Sequence, residues 1–164
     1  MRQPIIGVMG PGERATPATL QLAYELGQRI ADAGWILLTG GRPVGVMDAA
    51  SRGAKSRGGL TIGILPFSDR RQLSEAIDIP ILTGMGNARN VINVLTSDII
   101  IACGMGLGTA SEVALALKTE KFVVLLSGME IEQEFFSRLT EQHLGLAEDV
   151  NQAIALVHQH LSHP

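Results

Sequence analysis

Residues 98 to 120, DIIIACGMGLGTASEVALALKTE, constrain the fold of this chain more than any other stretch. Asp98, Ile99, Ile100, Ile101, Ala102 and Cys103 form the short apolar run of a strand buried on both faces. Gly104, Gly106 and Gly108 follow within five residues, and Thr109 and Ser111 then introduce Glu112 and an apolar helical segment. A strand that passes through glycines into a helix leaves free backbone N–H groups at the positive end of the helix dipole, which suits an anion and most often a phosphate. Glycine lets a ligand approach the backbone closely and permits positive φ. The spacing is neither the dinucleotide G-x-G-x-x-G nor a Walker lysine loop, since no Lys-Ser or Lys-Thr follows.

The same grammar recurs along the chain. Residues 4–9 read as a first strand broken by Gly10, Pro11 and Gly12. Thr16 and Pro17 open a helix as N-cap and first helical residue, and Gly34 ends it. Residues 35–39 read as a second strand closed by Gly40 and Gly41, and residues 45–53 as a short helix. Strands are expected at 61–65, at 77–83 (on an edge, because of Pro80), at 98–103 and at 121–126. Gly84, Met85 and Gly86 lead through Asn87, Arg89 and Asn90 into a helix carrying Val91, Ile92, Val94 and Leu95. The polar stretch 67–76, with Asp69, Arg70 and Arg71, reads as a solvated loop, and everything beyond Gly128 as helix, at about 132–142 and 149–161. Strands alternating with helices, four of them ending in glycine turns, specify one α/β domain over residues 1–164, a Rossmann-like parallel sheet with helices on both faces. Ligands of such sheets sit beyond the carboxyl ends of the strands, where the turns after Met9, Thr39, Thr83 and Cys103 would gather.

Composition excludes several classes. A hydrophobic share of 46% against 18% charged residues implies a large core and little disorder. The net charge of −3 argues against a general nucleic-acid binder. One cysteine precludes an internal disulfide, and no ligand spacing supports a protein-held metal. No apolar run reaches membrane-spanning length and Met1 leads directly into a strand, so a cytoplasmic protein is expected. His158, His160 and His163 do not share a helical face and read as a solvated tail. Cys103 reads as core packing; Met85, Met105 and Met129, near turns, read as packing with the capacity to wall a ring. Glu112, about one turn into its helix, and Arg89 are the side chains placed to touch a ligand at the rim.

Gly106-Leu107-Gly108-Thr109-Ala110-Ser111-Glu112 resembles the core of the PGGxGTxxE signature of the Lonely Guy (LOG) family. The turn Thr39-Gly40-Gly41, the run Val46-Met47-Asp48-Ala49-Ala50 and Arg89 match as well, so the resemblance covers roughly residues 4–126. It implies a Rossmann-like fold. One branch of the family hydrolyses nucleoside 5′-monophosphates at the N-glycosidic bond with the motif Glu and an Arg from an Arg-Lys pair. A sister branch, the molybdenum cofactor carriers, binds a phosphate-bearing pterin. Here the Pro-Gly opening is Gly104-Met105 and the Arg-Lys pair is Arg89-Asn90, and residues 84–90 look more like the carrier branch. The resemblance therefore implies storage and carriage of the molybdenum cofactor, the metal arriving bound to its pterin, with molybdoenzymes as recipients. The implied contacts are Gly10, Gly40, Gly41, Arg89, Asn90, Gly104, Met105, Gly106, Leu107, Gly108, Thr109 and Glu112, with Arg89 and Glu112 the catalytic pair if hydrolysis persists. A nucleotide-sensing module without turnover is the third alternative. Apolar faces on the helices flanking the glycine loop suggest a homo-oligomer, dimer or tetramer, as in both branches.

Overall fold

The apolar run is a strand covered on both faces: β5 (Ile99–Cys103) is buried at every residue. The structure, a computed structural model, describes residues 2–140 and 142–162. From the amino end, β1 (Ile5–Met9) leads through a glycine turn to α1 (Pro17–Asp32), then β2 (Ile36–Thr39) and α2 (Gly45–Ser56). Next come β3 (Thr61–Leu65) and β4 (Ile79–Leu82), followed by a 3-10 turn (Gly86–Arg89) that runs straight into α3 (Asn90–Thr96). Beyond β5 lie α4 (Leu107–Lys118), β6 (Val123–Leu126), α5 (Glu130–Ser137), β7 (Leu144–Ala147) and α6 (Val150–Ser162).

The strands form one sheet in the order β4-β3-β2-β1-β5-β6-β7, and every pairing is parallel. Alternation along each strand feeds two cores. Ile6, Val8, Ile99, Ile101 and Cys103 meet α1, α2 and α6 on one face. Met9, Ile100 and Ala102 meet α3, α4 and α5 on the other. Strand order reverses beside β1: the chain runs outward from β1 to β4 on one side, then returns to β5 and runs out to β7. That reversal opens a crevice at the carboxyl ends of β1 and β5, the place where doubly wound sheets bind their ligands.

Local signals account for several boundaries. The Thr16 hydroxyl accepts from the Thr19 N–H at 3.2 Å, and Pro17 occupies the first helical turn, where a missing N–H costs nothing. Pro80 lies in β4, an edge strand as expected. Cys103 is fully buried, and burial pushes its thiol up to about 12, which makes it an inert core residue.

Three expectations need correction. The tail after Gly128 is not all helix: Leu144–Ala147 is β7, paired in register with β6 from Val123↔Leu144 to Leu126↔Ala147. Those four residues include no β-branched side chain, so their strand conformation comes from the neighbouring ladder rather than from propensity. The helix placed at 132–142 is the shorter α5, and it ends before Glu141, which lies outside the described residues. His158 is exposed, as expected, but its ring lies 4.5 Å from that of Trp35, and half-buried His160 stacks on Phe122 at 4.4 Å, so this part of the tail is fastened rather than simply solvated. His163 lies outside the described residues. Among the described residues no group of three or more His, Cys, Asp or Glu is placed to hold a metal, and no helix is long and apolar enough to cross a membrane.

α1 and α2 touch backbone to backbone. A Cβ at Gly27 would lie 2.0 Å from the Ala50 carbonyl oxygen, and one at Gly53 would lie 2.0 Å from that of Tyr24. Gly27→Ala therefore forces the helices apart, with an expected loss of about 1–3 kcal/mol, the usual cost of overpacking a close contact. Denaturant unfolding checks this, and wild-type stability in the variant would show that the helices part freely.

Candidate functional site

A cleft of about 730 Å³ opens at the strand-order reversal. Val8, Met9 and the Gly10–Arg14 turn from β1, Gly40 and Arg42 after β2, Asn87 and Arg89 before α3 with Asn90 at its start, and Met105–Ala110 with Glu112 after β5 line it. Ten of the twelve residues expected at the site are therefore brought together. The other two serve the backbone. Gly41 has φ +75°, and a Cβ there would lie 3.0 Å from the Gly63 Cα. Gly104 also has φ +75°, in the left-handed turn that carries the chain from β5 past Pro11.

Gly106 begins α4 in extended conformation, without a side chain to cap the helix. The first helical bond that closes on it comes from the Ala110 N–H to the Gly106 carbonyl, 2.8 Å. The N–H groups of Leu107, Gly108 and Thr109 precede that bond and have no partner within the helix. Buried Thr109 adds a hydroxyl with no hydrogen-bond partner. Unmade buried hydrogen bonds are costly and call for a polar occupant. Three backbone donors, a hydroxyl and the positive end of a helix dipole together make a seat for a phosphate.

Below that seat lies a buried polar group. Glu112 is 6% exposed and accepts from the Asn93 amide nitrogen at 2.7 Å. Burial pushes its carboxyl up to about 7, against the opposing pull of the Asn93 bond and the Arg89 charge. One terminal nitrogen of Arg89 donates to the carbonyl oxygens of both Gly40 and Ile64, so the guanidinium spans the ends of β2 and β3. Its Nε is buried without a partner, as is the Asn93 side-chain oxygen. Burial pulls the Arg89 guanidinium down from its ordinary range, Glu112 draws it back up, and Arg42 adds to the lowering. A Cβ at Gly40 would lie 2.6 Å from the Met47 sulfur and 2.7 Å from Arg89 Nη1, so any larger residue would displace one of these side chains.

Asn90, which stands where the family motif has lysine, donates to the Ser111 hydroxyl at 2.9 Å, and Ser111 donates in turn to the Gly108 carbonyl. The departure thus ties α3 to the first turn of α4. Met105 lines the cleft, whereas Met85 and Met129 are exposed rather than packed. Arg42, Glu13, Arg14, Asn87 and Met47 also line the cleft and were not singled out from sequence. For Arg42 a signal existed, because it directly follows the strand-end glycines Gly40 and Gly41.

The profile of the SLOG cluster4 family matches residues 3–155. The molybdenum cofactor binding protein of the phototrophic bacterium Rippkaea orientalis is 57% identical, with a TM-score of 0.95 over 98% of this chain and 99% of that one. The molybdenum cofactor carrier protein of Chlamydomonas reinhardtii is 54% identical, with a TM-score of 0.94 over the same shares. Similarity extends more weakly to a cytokinin riboside 5′-monophosphate phosphoribohydrolase of Mycobacterium tuberculosis, 36% identical over 57% of this chain and 51% of that enzyme. The chain matches about half the length of that relative.

A carboxyl raised by burial stabilises the fold least when ionised. Stability should therefore fall as pH rises from about 4.5 through about 7, because the folded state holds a proton that the unfolded chain has released. Glu112→Gln keeps an oxygen for the Asn93 amide and removes the charge. Relative to wild type it should gain of the order of 3 kcal/mol at pH 8 and little at pH 4.5. Denaturant unfolding of both proteins at the two pH values checks this, and a pH-independent difference would contradict the assignment.

Proposed function

The chain belongs to the SLOG cluster4 family, and from that premise we propose that it binds, stores and carries the molybdenum cofactor without transforming it. The single observation that carries this reading is the match, at 53–57% identity over nearly the whole chain, to proteins known as molybdenum cofactor binders or carriers. The residues present fit such a cargo. The uncapped start of α4 and the unpartnered Thr109 hydroxyl take its phosphate. Met9, Met47 and Met105 give polarizable sides for a ring system. Arg89 Nε and the Asn93 oxygen offer a buried donor and a buried acceptor beside Glu112. A cleft of about 730 Å³ falls in the range that encloses cofactor-sized molecules.

Hydrolysis of nucleoside 5′-monophosphates is the second reading, favoured by Glu112 and Arg89 facing one cleft. Two features weigh against it. Asn90 brings no positive charge to the ligand, and its amide is engaged with Ser111. Arg89 is already bonded to two carbonyls. The protein acts as a homo-oligomer in this proposal, since Val91 and Leu95 on α3 and the 95% exposed Leu107 at the start of α4 present apolar surface. Molybdoenzymes are the proposed recipients and the cytoplasm the proposed compartment.

Mass spectrometry of small molecules released from gently purified protein should find the pterin cofactor rather than a nucleotide; recovery of a nucleotide would favour the sensing module. The Gly108→Val variant should fold normally, since a Cβ there meets nothing within 4 Å. It should nonetheless lose at least about a hundredfold in cofactor affinity, because the branched side chain fills the phosphate seat. Unchanged affinity in calorimetry, with wild-type circular dichroism, would remove the site from α4.

Incubation with adenosine monophosphate should release no free adenine. Turnover approaching the ~10 s⁻¹ typical of enzymes would put hydrolysis first.

A further inference from the structure

Besides Arg89 the cleft is lined by two further arginines, Arg14 and Arg42, and the second of these has partners that the phosphate seat does not use. Arg42 leaves the β2 turn and lines the cleft wall. Its Nη2 donates to Glu13 Oε1 at 2.8 Å, and its Nε donates to Gln72 Oε1 at 3.2 Å. Gln72 is a non-glycine residue at φ +54°, so the 67–76 loop is held in a left-handed turn where its amide reaches over Arg42. This stretch is therefore joined to the cleft rather than merely solvated.

The two halves of the ion pair differ in burial. The Arg42 side chain is 26% exposed, whereas that of Glu13 is 69% exposed. A carboxylate so far into water contributes little as a partner, and an anion arriving inside the cleft displaces it cheaply. Arg42 also lies near enough to Arg89, which is bonded to the Gly40 carbonyl of the same turn, for the two positive charges to oppose each other. A negative group between them relieves that repulsion. Strand β1 separates the turn that carries Arg42 from the turn that starts α4, which places the two roughly 10 Å apart at the usual spacing of neighbouring strands.

We infer that Arg42 is a second anion contact and a determinant of specificity: it exchanges Glu13 for an oxyanion at the end of the ligand away from the α4 seat. The cleft thereby selects ligands with two separated negative groups. The inference rests on the reading that the cleft takes a phosphorylated ligand, and it adds what the other end of that ligand must carry.

The test is calorimetry of full-length wild type, Glu13→Gln, Arg42→Gln, Arg42→Lys and the Glu13→Gln/Arg42→Gln double variant. The probes are the molybdenum cofactor, under anaerobic conditions, and inorganic molybdate. Arg42→Gln should weaken both probes by about ten- to a hundredfold, as loss of a charge-assisted hydrogen bond does. Arg42→Lys should recover part of that loss. Glu13→Gln should tighten binding by about two- to fivefold by freeing Arg42. The double variant should match Arg42→Gln, because Glu13 acts only through Arg42. Thermal unfolding of each variant separates a folding defect from a binding one, and Arg42→Lys carries the comparison if Arg42→Gln is unstable. Wild-type affinity in folded Arg42→Gln, or weakened binding in Glu13→Gln, overturns the inference. If wild type binds molybdate with the expected pattern but not the cofactor, the carriage reading falls and the Arg42 contact stands. Binding of the cofactor with no dependence on Arg42 leaves carriage standing and overturns the contact, and binding of neither probe overturns both.

Discussion

A single nitrogen of Arg89, bonded to the carbonyl oxygens of Gly40 and Ile64, sets the floor on which the site is built. Strand ends in a parallel sheet expose carbonyls that must find donors, and here a side chain from the far side of the sequence supplies them. The arrangement dictates its neighbours. Gly40 carries no side chain because the guanidinium occupies that space. Burial keeps the Glu112 carboxyl raised, while the Asn93 bond and, less strongly, the Arg89 charge draw it back toward ionisation. Asn93 is fixed because Glu112 accepts its amide. Burying a charge is costly unless it is well partnered, and the Arg89 Nε and Asn93 oxygen left without partners are part of that cost. A polar ligand can supply those partners on binding.

Carriage and hydrolysis make different demands on such a site. A carrier needs tight binding of the molecule as it stands, whereas an enzyme must bind the transition state more tightly than the ground state. The features on display belong mostly to the first kind. Neutral backbone donors at the start of α4 suit a phosphate whose charge does not change, and sulfur-bearing side chains on the cleft wall suit a ring. Asn90, turned toward Ser111, links α3 to α4 at the point where the family motif would supply a second cation.

What could be read in the sequence was local. Thr16 and Pro17, the apolar run of β5 and the glycines before α4 each carry their conformation in neighbouring residues, so their elements were legible without a structure. The edge position of β4 was legible from Pro80 alone. Leu144–Ala147 was not, because its strand state is imposed by β6 across the sheet. The ring contacts of the α6 histidines were missed for a related reason: their partners, Trp35 and Phe122, lie far away in sequence. At the site, Arg89 and Glu112 were found through their motif. Asn93 and Glu13 carry no motif and acquire their roles only when the fold sets them beside Glu112 and Arg42.

The backbone contact between α1 and α2 has a mechanical meaning as well as a stability cost. These helices follow β1 and β2, whose turns form one wall of the cleft, and glycine on each side leaves no side-chain layer between them to deform. That wall behaves as a rigid jaw. The opposite wall, carried by α3 and α4, is held together through side chains, the Asn90–Ser111 and Asn93–Glu112 bonds among them. Side-chain contacts yield by small rotations where backbone contacts cannot. If the cleft carries the proposed cargo, the α3–α4 wall is therefore the side on which a small side-chain rearrangement would widen it.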